Sequence, residues 1–174
     1  MTELAPGGKI HIVDYDVRWP EMFARKAEGI RAALSERALR IEHVGSTAVP
    51  GLTAKPVIDV VLEVADSREE SAYAPELEDA GYRLTNREPE WHEHRMFKGS
   101  EPQVNLHVFS RDCPEVERML IFRDWLRAHD GDRDLYACTK LTLSQKSWKR
   151  VQDYADAKTE VVEQIMDRAL GGKK

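Results

Sequence analysis

The chain has 174 residues, of which 41% are hydrophobic and 33% charged, with a formal net charge of −5. That length suits one domain with a full core, so a single domain over residues 1–174 is expected. The negative balance argues against bulk nucleic-acid or membrane-surface binding, and no apolar run approaches the roughly 20 residues of a membrane span.

The N-terminus MTELAPGGKI lacks the apolar centre of a signal peptide, so a cytoplasmic protein is expected. Cys113 and Cys138 stand in no metal-type spacing and read as free thiols. Residues 10–13 are compact and β-branched, the pattern of a short strand. Trp19-Pro20 opens a helix, because proline fits the first helical turn. Phe23, Ala27, Ile30 and Leu34 recur at helical spacing, which predicts an amphipathic helix over about 21–36. Residues 39–44 predict a strand. Residues 57–64, VIDVVLEV, are almost continuously apolar, the pattern of a strand buried on both faces and central in its sheet. Alternation puts Asp59, Val61 and Glu63 on one face.

Ser67 opens an acidic helix to about residue 80, with Gly81 as its stop and Pro75 kinking or dividing it. A strand at 82–84 and a polar connection at 86–91 follow. Two strands, 94–98 and 104–109, are joined by KGSEP as a hairpin. In the second, Asn105, His107 and Phe109 share a face. From Pro114 the pattern turns helical. One helix covers 115–129, Asp130-Gly131-Asp132 breaks it, and a second covers about 134–148. The periodicity then continues or restarts through Tyr154, Val161, Ile165 and Leu170. Mixed segments followed by helices predict an α+β fold, a sheet with a C-terminal helical layer packed on it.

Candidate chemistry gathers in residues 41–64, IEHVGSTAVPGLTAKPVIDVVLEV. Gly45-Ser46-Thr47 lets the backbone turn tightly and offers N–H groups and hydroxyls to phosphate oxygens. Lys55 stands between this turn and the strand. Asp59 is a carboxylate inside an apolar run, which requires an ion pair, a proton or a metal; both the structural ion pair and the metal ligand stay open. Glu63, on the same face, lies ~13 Å further along. His43 and His107 sit on expected core strands, each either a ligand, a phosphate donor or a general base, or else a hydrogen-bonded core histidine. His92-x-His94 spaces two imidazoles on one face of a strand, a weaker metal pair. Arg123 and Arg127, four apart, share a helix face, as do Tyr136 and Lys140 on the next helix. Such cations form a phosphate fork or a solvated face.

Several segments together resemble the GrpB family: YDVRWPEMF, the 41–64 stretch, VNLHVF, FRDWLRAHDGDRDLYACTK, and the pair Tyr154-x-x-x-Lys158. The resemblance implies a minimal nucleotidyltransferase fold of the polymerase-β kind, with a mixed sheet in which a Gly-Ser turn precedes an acidic strand. It further implies binding of a nucleotide or other phosphorylated small molecule. Gly45 and Ser46 match the phosphate turn, with His43, Thr47, Lys55, Arg123, Arg127 and Lys140 around it. Asp59 matches the first metal carboxylate. Active relatives in that superfamily use Mg²⁺ or Mn²⁺ for nucleotidyl transfer, which here puts Asp59 and His107 in catalytic roles and Asp59, Glu63 and His107 as the metal set. Val61 stands where the second carboxylate belongs, so a non-catalytic ligand-binding or protein-interaction domain is the alternative.

Overall fold

The computed structural model describes residues 9–171. Trp19–Leu34 forms helix α1, with Pro20 in its first turn and Ala27, Ile30 and Leu34 as its buried stripe. The strand expected at 10–13 is reduced to one antiparallel bridge between Val13 and Ala54. Strand β1 is Arg40–Val44 and strand β2 is Ile58–Val64. The helix expected to open at Ser67 is shorter: Ser67 Oγ bonds to the Glu93 carbonyl instead, a 3-10 turn spans Glu70–Ala72, and the short helix α2, Ala74–Asp79, starts with Pro75 in its first turn.

Strand β3, Arg83–Glu88, is longer than predicted. It pairs along its length with β4, His94–Gly99, through a bulge between Leu84 and Asn86. It is an exposed, mostly polar edge strand, so no apolar alternation marks its full extent in the sequence. Strand β5 is Val104–Ser110 and forms the predicted hairpin with β4. The sheet order is β1-β2-β5-β4-β3, with only the β2–β5 pair parallel. The parallel pair requires a crossover, and the segment from α2 through β4 supplies it.

The two sheet faces are covered differently. Ile58, Val60, Leu62, Val104, Leu106 and Val108 face one way and pack against Ile30 and Leu34 of α1 and Leu77 of α2. Val44, Val61 and Phe109 face the other way and meet Val116 and Leu120. Those last two belong to α3, Pro114–Ala128, which starts the helical layer. Helix α4 is Asp130–Ser144, so only His129 separates the two helices. The expected break at Asp130-Gly131-Asp132 is thus the first turn of α4, where two aspartates complement the helix dipole and help offset the glycine. Trp125 and Arg168 both bond to Asp132, tying α3, α4 and the last helix together. Helix α5, Val151–Ala157, and helix α6, Thr159–Ala169, meet at Lys158. Among the described residues no helix is long and apolar enough to cross a membrane. Cys113 is a buried free thiol and Cys138 an exposed one.

Candidate functional site

The end of β1 and the start of β2 meet in register, with Val44 opposite Asp59. The chain leaves β1 through Gly45, whose φ of 74° and ψ of −174° belong to a region open essentially to glycine alone. A Cβ on Gly45 would lie 2.6 Å from Asp59 Oδ2. The turn therefore lies directly over the carboxylate because position 45 has no side chain. Ser46 opens a 3-10 turn, Ser46–Ala48, and lines the same cavity as Tyr136 of α4. Asp59, although its strand is buried on both faces, is at the strand's open end and keeps 29% of its side chain exposed.

Below the turn lies a cavity of about 200 Å³ bordered by Gly45, Ser46, Asp59, Asn105, Tyr136 and Tyr154, with Lys55, Lys140 and Lys158 around it. Lys140 is 2% exposed. Burial, reinforced by the nearby Lys158 and Lys55, pushes its ammonium down to about 7. Burial likewise lowers Lys158 to about 8, and it lowers Lys55. Asp59 pulls all three upward, but not enough to restore them. Among the described residues no carboxylate oxygen lies within the 4.0 Å of an ion pair with any of these lysines. Two of the three lie over ring faces: Lys140 is 5.0 Å from the Tyr136 centroid and Lys158 is 4.5 Å from that of Tyr154. Two buried polar atoms on the same cavity, Asn105 Oδ1 and the Tyr154 hydroxyl, have no hydrogen-bond partner among the described residues.

A hydrogen-bonded chain leads away from Asp59 across the sheet. His107 Nε2 lies 3.2 Å from Asp59 Oδ1, His107 Nδ1 lies 3.1 Å from His94 Nε2, and His94 Nδ1 lies 3.0 Å from Glu88 Oε1. The four residues come from β2, β5, β4 and β3 in spatial order. Burial holds His94 down at about 4, so it is neutral near pH 7. With one ring proton, His94 donates in only one of its two contacts, to Glu88 or to His107.

Several expected residues are placed elsewhere. His43 is on the opposite sheet face from Asp59, stacked on Phe23 of α1 at 4.8 Å. Burial pushes it down to about 4 and keeps it neutral. The Thr47 hydroxyl donates to the Val57 carbonyl at 3.1 Å, so it accepts from His43 Nε2–H at 3.0 Å. Both side chains thus close the loop between β1 and β2, and neither offers a free donor to a ligand. Arg123 and Arg127 share a face of α3 but do not form a fork over the cavity. Arg123 binds Glu42, Asp124 and the His43 carbonyl, and Arg127 binds the Ala48 carbonyl, so they staple the turn to the helical layer.

The set Asp59, Glu63 and His107 does not come together around one point. Glu63 is buried beside Arg40, 3.5 Å from its guanidinium, because it is a full two strand positions beyond Val61. His92 has φ 55° in the turn before β4, so His92 and His94 do not share a strand face. Among the described residues no three His, Cys, Asp or Glu side chains form a group able to hold a metal ion. Magnesium and manganese prefer several oxygen ligands, and the donors here are one carboxylate and one imidazole facing three ammonium groups. The residues present do not fit a divalent metal of that kind.

Lys158, Tyr154 and Asn105 are prominent in the cavity yet were not singled out as site residues from the sequence. A signal was present: Tyr136/Lys140 and Tyr154/Lys158 repeat the same Tyr-x-x-x-Lys spacing, which stacks each lysine beside its tyrosine on a helical turn.

A mixed sheet in which a glycine turn leads onto an acidic strand, backed by a helical layer, defines an α+β protein of nucleotidyltransferase-like fold. The solved structure of a cytoplasmic RNA terminal U-transferase shares it at a TM-score of 0.50 and 13% identity, covering 76% of this chain and 41% of that one, a likeness of fold alone. Within that class the chain belongs to the GrpB family: the family profile described as GrpB protein matches residues 9–168. It is 55% identical to the UPF0157 protein BH1888 of Halalkalibacterium halodurans over 168 residues, covering 96% of this chain and 86% of that protein. The crystal structure of conserved protein GrpB from Enterococcus faecalis matches at a TM-score of 0.81 and 29% identity, covering 92% and 97% of the two chains.

Proposed function

We propose that the chain binds a phosphorylated small molecule, nucleotides included, in the lysine cage beneath the Gly45 turn, and that it does so without a divalent metal. One observation carries this reading. Three lysines surround a cavity of about 200 Å³, and none of them has a carboxylate at ion-pair distance among the described residues. Buried cations without counter-ions cost folding free energy, and an anion entering the cavity removes that cost. The Tyr154 hydroxyl, without a partner among the described residues, supplies a further contact as a donor to phosphate oxygen.

The nucleotidyl-transfer expectation requires carboxylates that share a metal. Val61 is fully buried in the apolar layer with Phe109 and Val116, and Glu63 is beside Arg40. Binding is therefore the activity assigned here, and Asp59 serves to keep the lysines charged rather than to hold metal.

The test is calorimetric titration with inorganic phosphate, pyrophosphate and nucleoside phosphates, with chelator or with Mg²⁺, on the native chain and on Asp59→Asn. The expected result is binding in chelator that Mg²⁺ does not strengthen and that Asp59→Asn changes by less than about tenfold, ~1.4 kcal/mol. Binding that requires Mg²⁺ and disappears in Asp59→Asn would restore the metal-dependent reading. No binding by any phosphate would remove the proposal.

A further inference from the structure

A second cavity, of about 320 Å³, adjoins the lysine cage and shares Gly45, Ser46, Asp59 and Tyr136 with it. Its character is different. Val49, Met119, Phe122, Leu126, Val162 and Met166 line it, contributed by the turn after β1 and by α3 and α6. Val49, Leu126 and Met166 are almost fully buried, while Met119, Phe122 and Val162 are only partly covered and present apolar surface to the cavity. Charged groups also border it: Asp59, which it shares with the cage, His107, and Glu115, Arg118 and Arg123 along α3. Arg123 is already held by Glu42 and Asp124.

We propose that this chamber receives an uncharged, flat apolar group attached to the phosphate held in the cage, so that the ligand class is an aryl-type phosphate ester rather than a simple sugar phosphate. The inference rests on the cage reading above, because the shared residues place the phosphate next to the chamber. Apolar walls give a hydroxyl-rich sugar few partners, and each hydroxyl buried there without one would weaken binding. A ring gains from burial against methionine, phenylalanine and aliphatic side chains. The continuity of the two cavities is what selects one molecule with two unlike ends: a doubly charged head and an apolar body.

The experiment compares inorganic phosphate, phenyl phosphate and glucose 1-phosphate by calorimetry on the full chain. Two variants, Val162→Trp and Met119→Trp, each fill the chamber from a partly covered position, from α6 and from α3 respectively. Melting curves establish which variants are folded, and either one suffices. The expected result is phenyl phosphate binding on the order of tenfold to a hundredfold more tightly than phosphate, with glucose 1-phosphate no tighter than phosphate. The filled variants should bind phosphate as before but lose the preference for the phenyl ester.

If phosphate binds and phenyl phosphate binds no better, the chamber assignment falls and the cage stands. The same holds if the preference persists in a folded, filled variant, since the ring then lies elsewhere. If glucose 1-phosphate is preferred as strongly as phenyl phosphate, the ligand class is wrong. If none of the three binds, the cage reading itself fails and takes this inference with it.

Discussion

Replacing Lys140 with methionine should make the empty protein more stable and the liganded one weaker. Lys140 is 2% exposed on α4, and burial together with two neighbouring lysines holds its ammonium at about 7 instead of 10.5. At ~1.36 kcal/mol per pH unit, that displacement corresponds to roughly 5 kcal/mol of opposition to folding at low pH. Methionine has a similar length and no charge to desolvate. The contact of Lys140 with the Tyr136 ring, 5.0 Å away, is lost and offsets about 1 kcal/mol. A net gain of about 2–4 kcal/mol is expected near pH 6, which at about 2–4 °C per kcal/mol raises the melting temperature by roughly 5–15 °C.

The sign follows from proton counting. A lysine whose folded value lies below its unfolded value binds more protons when unfolded, so its penalty is complete below about 7 and fades as pH rises toward 10.5. The advantage of Lys140→Met over the native chain must therefore shrink between about pH 7 and pH 10. Thermal melts of both proteins across that range, without phosphate, provide the assay. A variant that melts at or below the native temperature near pH 6, or an advantage that grows with pH, would refute the unpaired buried cation. In phosphate at about 10 mM the gain should shrink, because the native chain alone keeps all three lysines for the anion.

Tyr154→Phe should act in the same two directions more mildly. Removing a buried hydroxyl that has no partner stabilises the empty protein by about 1 kcal/mol, while phosphate affinity drops several-fold, as melting and titration would reveal. Gly45→Ala should cost about 1–3 kcal/mol from its backbone conformation and should also displace Asp59, whose Oδ2 lies 2.6 Å from the new Cβ site. A melting temperature within a degree or so of native would contradict the role given to that turn. Affinity for a phosphate monoester should fall by at least about tenfold from pH 7 to pH 9, since Lys140 and Lys158 lose protons at about 7 and about 8 while the monoester, with its second pKa at about 6, is already doubly charged. An affinity that stays flat over that range would show that these lysines do not carry the binding.

Much of the fold was legible in the sequence because its signals are local and strong. Trp19-Pro20 and the Ala27, Ile30, Leu34 stripe define α1, and the continuous apolar run defines β2 as a central strand. Where local cues were weak, the reading slipped. The edge strand β3 has no apolar face to reveal its length, and the Asp130-Gly131-Asp132 segment carries loop-like residues that also suit a helical first turn. Gly45, Ser46, Asp59, Lys55 and Lys140, read from the sequence as candidates, do border one cavity, because a glycine turn and a carboxylate in an apolar run are visible along one chain; the repeated Tyr-Lys spacing that would have added Lys158 was not used. His43 and Thr47 look equally chemical in the sequence, yet their partners are Phe23 and the Val57 carbonyl.

The sequence by itself determined the elements, the α+β class and the place of the turn, since periodicity, capping and glycine conformation act over a few residues. Only the tertiary structure decided which charges meet. Lys55, Lys140 and Lys158 come from the loop before β2, from α4 and from the α5–α6 junction, positions up to 103 residues apart in the chain. Their convergence on Asp59, and the separation of Glu63 from it, depend on how the helical layer docks on the sheet. Electrostatic interaction and desolvation act through space rather than along the chain, so they become readable only once that docking is known.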